Sequence, residues 1–214
     1  MATRTGKVGI SSFLKTTTTG SAPGFALSNT FEVEFKIGDG PLKTSLQSSG
    51  FKVGGSSFDK LTLLCEEASL PGIMANTGQT TGVILGEGQV NYAHTKSYQD
   101  MTLGWICDAD LTPLSFLNAW NKVIFPDAGG NAADGKTSRN RVGWPDDYQC
   151  NEVTITKAER NATDTLGNTG GIYTLFNVWP YSIQSTPLSY GSSQLLKITA
   201  SFYYRRWKFD ASAK

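Results

Sequence analysis

One histidine, His94, and three cysteines, Cys65, Cys107 and Cys150, are what this chain offers for nucleophilic or metal chemistry. A Ser-His-Asp or Cys-His mechanism would have to pass through His94. That residue sits in the strand-like "NYAHTK", and no G-x-S-x-G turn occurs to present a nucleophile, so a structural role is expected for it. The cysteines lie 42 and 43 positions apart, which fits neither a disulfide framework nor the paired spacing of a zinc site. They read as buried thiols. Carboxylates cluster at Glu66-Glu67, at Asp108 with Asp110, and at Asp146-Asp147, each a candidate acid pair for glycoside hydrolysis. Each also has a structural reading: Asp110 precedes a helix whose positive dipole end suits its charge, and "WPDDYQ" resembles a turn entering a strand. The glycines of "GEGQ" and "GDGP" lack the strand–turn–helix setting of a phosphate cradle. No catalytic, cofactor-binding or metal-binding residue is assigned, and a non-enzyme is expected.

The run "YYRRWK", Tyr203 to Lys208, mixes basic and aromatic side chains and invites a single-stranded nucleic-acid reading. Strand alternation, however, sends Arg205 and Arg206 to opposite faces. Arg205, Arg206 and Lys208 are therefore expected to meet acidic neighbours at an interface between subunits. Composition agrees, because 19 Lys+Arg against 18 Asp+Glu leave the chain almost neutral, without the field of a protein that grips nucleic acid or anionic membrane. No segment approaches the length of a membrane span, and the first 25 residues hold no apolar run of secretory length. Synthesis in a cytoplasm, without a membrane partner, is expected.

These residues must be positioned by strands. In "FEVEFKIG", Phe31, Val33, Phe35 and Ile37 alternate with Glu32, Glu34 and Lys36. In "SSQLLKITASFYYRRW", residues 192–207, Leu196, Ile198, Ala200, Phe202 and Tyr204 alternate with Lys197, Thr199, Ser201, Tyr203 and Arg205, as one long strand with a core face and a wet face. "LTLLCEEASL", "GVILGEGQVNYAHTK", "DMTLGWICDAD", "CNEVTITKAER" and "IYTLFNVWPYSIQ" read as further strands, and "NATDTLGNTGG" as a turn region. One helix is expected in "TPLSFLNAWNKVIFP", with Thr112 as cap and Pro113 at the first helical position. Its stripe Phe116, Leu117, Trp120, Val123 and Ile124 faces the core. The sum is an all-β fold of two packed antiparallel sheets, a sandwich or barrel, with one flanking α-helix. An N-terminal arm is expected over 1–29, a β domain over 30–209 with inserted loops at 38–60 and 127–143, and a short tail over 210–214. The 38–60 insert reads as a protruding hairpin or long loop.

In order, "FEVEF", "LTLLCEEASLPGI", "SYQDMTLGWICDAD", "TPLSFLNAWNKVIF" and "YTLFNVWPYSIQSTPLSYGSSQLLKITASFYYRRW" resemble the tail tube proteins of contractile-tailed bacteriophages and their tube-like baseplate relatives. The resemblance spans most of residues 28–208. It implies hexameric rings that stack into a hollow tube, with inner strands joined into one barrel around a channel that double-stranded DNA crosses without specific binding. It further implies sheath, baseplate and tail-terminator proteins as partners and a place in the virion tail. On that footing the polar strand positions Glu32, Glu34, Lys36, Lys197, Thr199 and Ser201 are candidates to face the channel. The polar segments would make contacts between rings or toward the sheath. Neighbouring readings are a baseplate protein that starts the tube, the ring protein of a type VI secretion system and, in another class, a carbohydrate-binding sandwich using its five Trp and eight Tyr. A starter would often add a docking domain that the sequence does not show, so the main tube is the expected station.

Overall fold

The computed structural model describes residues 28–51, 55–82, 88–126, 142–160, 166–188, 190–191 and 195–211. Nearly all of the expected arm at 1–29 and of the loop at 127–143 lies outside these residues, as do the last three of the tail. Nine strands are described: β1 (Phe31–Lys36), β2 (Cys65–Ala68), β3 (Ile73–Thr81), β4 (Gln89–Tyr98), β5 (Met101–Ile106), β6 (Cys150–Arg160), β7 (Leu166–Ile183), β8 (Lys197–Tyr203) and β9 (Arg206–Asp210). Four helices accompany them: α1 (Pro41–Ser48), α2 (Ser56–Leu63), α3 (Thr112–Ile124) and α4 (Pro145–Tyr148).

The strands run β1-β6-β7-β8-β5-β2 as one antiparallel path, with β9 also on β7 and with β3-β4 as a separate hairpin. The eighteen-residue β7 belongs to two sheets. Its first half lies between β6 and β9, whereas Trp179 to Ile183 pair with β8. The change of sheet falls at Asn177, whose φ of 56° lies in the left-handed region that Asn tolerates better than most residues. Its side-chain amide donates to Gln149 Oε1 at 3.0 Å.

A first sheet (β1, β6, first half of β7, β9) thus faces a second (second half of β7, β8, β5, β2) across one core. Alternation supplies that core: Val33 and Phe35 pair with Ile155 and Val153, and Leu103 and Trp105 pair with Ala200 and Ile198, all buried. Phe35 reaches across to Phe202, with ring centroids 6.3 Å apart. Helix α3 closes one opening, setting Phe116 and Trp120 edge-on to Phe35 at 5.5 and 6.1 Å. Phe116, Leu117, Trp120 and Ile124 are buried, and Val123 packs part-buried against the same cluster. The two fully buried indoles donate to backbone, Trp120 to the Tyr148 carbonyl (2.7 Å) and Trp105 to the Leu61 carbonyl (3.2 Å), whereas the buried Trp207 Nε1 has no acceptor among the described residues.

Local expectations are corrected in several places, among them the turn region over 161–171, whose residues 166–171 open β7. The 38–60 insert is neither hairpin nor loop: α1 begins at Pro41, suited to a first helical position, and buries Leu42 and Leu46 one turn apart, while α2 buries Phe58 and Leu61. These i,i+3 and i,i+4 pairs outweigh the turn-like Gly and Ser content, and "LTLL" finishes α2 before the short β2. The protruding hairpin is instead β3-β4. Residues 192–207 are not one strand, since the chain bends at Tyr204-Arg205 and sends β8 and β9 to different sheets, and Asp210 ends β9 rather than opening a tail. Finally, Thr112 does not cap α3. Leu111 turns left-handed at φ 53°, and Asp108 accepts from both Thr112 N–H and Oγ1–H at 2.7 Å.

Candidate functional site

The two sheets turn their polar faces away from each other, which separates the candidate channel residues into two groups. Glu32, Glu34 and Lys36 lie exposed on the outward face of the first sheet, in register with Thr156, Thr154 and Glu152 of β6. Lys197, Thr199 and Ser201 lie on the outward face of the second, beside Ile106, Gly104 and Thr102 of β5. The six therefore divide between two sheets, because alternation assigns a side within a strand but not which sheet that side belongs to.

On the second sheet, the exposed cation is paired within the chain, and Glu67 beside it is exposed. Lys197 Nζ meets Glu66 at 2.7 Å. Beside that pair Gly104 leaves a depression lined by Glu66, Glu67, Trp105, Lys197 and Thr199, where a Cβ would stand 3.2 Å from Glu67 Cβ. Ser201, expected to be wet, is only 8% exposed. Tyr181 and Tyr203 stack beside it at 3.9 Å, and the Tyr181 hydroxyl donates to Asp100 at 2.6 Å. The Asp100 bond raises the Tyr181 pKa.

Of the hairpin, sequence reasoning read a strand over 82–96, which contains most of β4, but missed β3 and the pairing of the two. Its strands pair from Ile73↔Tyr98 to Thr81↔Gln89 with one register shift, and almost every side chain is exposed, including Ile73, Met74, Val90 and Tyr92 at about half their surface. Its root is held by Tyr204, whose ring packs tilted against Tyr98 with centroids 5.7 Å apart and whose hydroxyl donates to the Gly72 carbonyl at 3.4 Å. Burial pushes the Tyr204 phenol up to about 12. A two-stranded ribbon is marginal alone in water, and its open edges and half-exposed apolar side chains suit contact with another chain. The available signal was a pair of Thr/Asn/Gln-rich stretches around a glycine-bearing segment, 82–88.

The reactive residues stay apart. Burial pushes the Cys65 and Cys150 thiols up to about 12 and raises Cys107, the reverse of an activated thiolate. His94 is exposed on β4, beside Thr95. Asp108 caps α3, and the Thr112 and Lys60 contacts hold its pKa low. Among the described residues no group of three or more His, Cys, Asp or Glu is placed to hold a metal ion. Tryptophans form no platform: Trp105 and Trp120 are buried, Trp179 and Trp207 partly so, and Trp144 alone is largely exposed. Arg205 and Arg206 are exposed at the bend and on β9, and Lys208 lies two positions further along β9.

Opposed polar faces and a two-stranded ribbon exposed along almost all its length define a class, that of structural β proteins suited to association. The phage tail tube protein family model matches residues 26–210, and the chain belongs to that family, with a structural role in a tail tube. A chain of the anti-feeding prophage baseplate, 6-fold symmetrised, is similar at 14% identity and TM-score 0.53, covering 88% of this chain and 97% of that one. A chain of an extracellular contractile injection system, a sheath-tube complex in the extended state, is similar at 13% identity and TM-score 0.48, over 87% and 92%. An Hcp protein gives 11% identity and TM-score 0.43, over 86% and 92%. No curated protein matches. The likeness to the baseplate chain is one of fold.

Proposed function

We propose that this protein is the main tube subunit of a phage tail. Copies form hexameric rings, the rings stack, and the resulting channel carries double-stranded DNA at ejection without specific binding. Membership of the tail tube family over residues 26–210 carries this reading. The second sheet is the channel wall: Lys197 is offset by Glu66, and the neighbouring Thr102 and Thr199 add hydroxyls rather than free cations. A wall contacting many phosphates would hold DNA by counterion release, so neutral, hydrated positions favour passage. Lys197 and Thr199 are the proposed channel residues, with Ser201 beneath the Tyr181–Tyr203 stack. Glu32, Glu34 and Lys36 face away from this channel.

The protein acts without catalysis, is made in the host cytoplasm and works in the virion tail. The sheath, baseplate and tail-terminator proteins are its partners; the 1–29 arm meets them and the next ring, as does the β domain over 30–209 through the hairpin and the 127–143 segment. Electron microscopy of the purified chain tests the reading. Stacked rings with a central hole are expected, and a population of monomers at all concentrations would overturn it.

A further inference from the structure

The outward face of the first sheet is charged differently at its two margins. Glu34 of β1, Thr154 of β6, Thr174 of β7 and Lys208 of β9 form one row across four strands. On the β1 margin, Glu32 and Glu34 are exposed and without an ion-pair partner among the described residues, whereas Lys36 turns inward to Glu152 at 3.9 Å. On the β9 margin, Arg206 and Lys208 stand out. Arg206 lies over the Phe176 ring at 4.6 Å and Lys208 meets Asp210 at 2.8 Å. The middle of the row is hydroxyl, with Thr154 buried and its Oγ1 without a hydrogen-bond partner among the described residues.

We propose, on the ring reading above, that neighbouring copies join head to tail by laying the β9 margin of one against the β1 margin of the next, with Lys208 on Glu32 and Arg206 on Glu34. Three successive antiparallel pairings make β9 run opposite to β1, so this contact is antiparallel too. Shifted one cross-strand step one way, Lys208 would face Glu34 but Arg206 would face Lys36 and Asp210 would face Glu32; shifted the other way, Arg206 on Glu32 would be the one opposite-charge pair kept. The charges therefore favour one alignment over both neighbours, by like-charge rejection of the first and by loss of a pair in the second. Because the Thr62 hydroxyl of α2 already donates to the Val33 carbonyl on the free edge of β1 at 3.1 Å, the contact is between side chains rather than a continued main-chain ladder. A contact between two different patches of one chain is the kind that closes rings.

The test uses two full-length variants, Glu32→Lys with Glu34→Lys, and Arg206→Glu with Lys208→Glu. Each alone is expected to lose rings in micrographs and in sedimentation. An equimolar mixture is expected to regain them, since alternating copies restore opposite signs at every junction of a ring with an even number of members. Rings from either variant alone, or no recovery on mixing when circular dichroism shows both folded, would overturn the pairing while wild-type rings left the ring reading standing. Should a reversal variant fail to fold, Glu34→Cys combined with Arg206→Cys keeps the question open to decision. Under oxidation this chain is expected to give a ladder of covalent oligomers, and its absence from assembled rings would overturn the contact. A wild-type chain that never leaves the monomer overturns both readings together.

Discussion

Trp120 stands where α3, α4 and the first sheet meet, fully buried and bonded to the Tyr148 carbonyl. Trp120→Ala removes that packing and leaves a carbonyl without its donor, so a loss of about 3–5 kcal/mol is expected in denaturant unfolding. The stripe that contains it was legible from spacing, because one face of a single helix meets one core. Asp108 was not legible as the cap of α3, since its reach to Thr112 depends on the left-handed turn at Leu111. Its pKa is lowered on folding, so its contribution is present above the unfolded pKa and fades as pH falls through the folded one. Asp108→Ala should therefore lower the melting temperature near neutral pH, with the gap to wild type closing in strong acid. A gap independent of pH would contradict this. Cys150, nearly fully buried with its thiol pushed up to about 12, should resist alkylation near neutral pH until denaturant is added, as mass spectrometry would show.

At the scale of elements, the corner of β7 decides which half of the strand joins which sheet. Asn177→Val places a β-branched residue at φ 56° and should cost about 1–2 kcal/mol more than Asn177→Gly in thermal unfolding. Equal losses would mean the corner is held by its neighbours alone. The helices α1 and α2 show where reading by composition failed. Gly, Ser and Thr in the 38–60 insert suggested turns, yet Leu42/Leu46 and Phe58/Leu61 carry helical spacing. The hairpin contributes little to the fold's core, so replacing residues 76–95 by a short turn should leave a folded monomer by circular dichroism. The same variant is expected to form no tubes in micrographs, and normal tubes would remove the hairpin from assembly.

For the whole molecule, the proposed reading puts passage on the second sheet's polar face and assembly on the first's. Glu66→Gln releases Lys197 from its 2.7 Å partner and adds one free cation per subunit to the proposed channel. Rings and tube length should be unchanged while DNA ejection slows, most visibly at low salt. Unchanged ejection would move the channel to another face. The contrasting expectation for the first sheet is that charge reversal there disturbs ring formation before it disturbs passage.

The sequence by itself determined the sides: Val33 and Phe35 inward with Glu32 and Glu34 outward, Ile198 and Phe202 inward with Lys197 and Thr199 outward, and the apolar stripe of α3. Those are local periods, set by backbone geometry within one element. Only the tertiary structure decided partners. That β8 and β9 part company at Tyr204-Arg205, that β7 serves two sheets, and that the wet faces of β1 and β8 point in opposite directions all depend on register between segments distant along the chain. A period of two is the same whichever sheet a strand joins, so no pattern within a strand can report it.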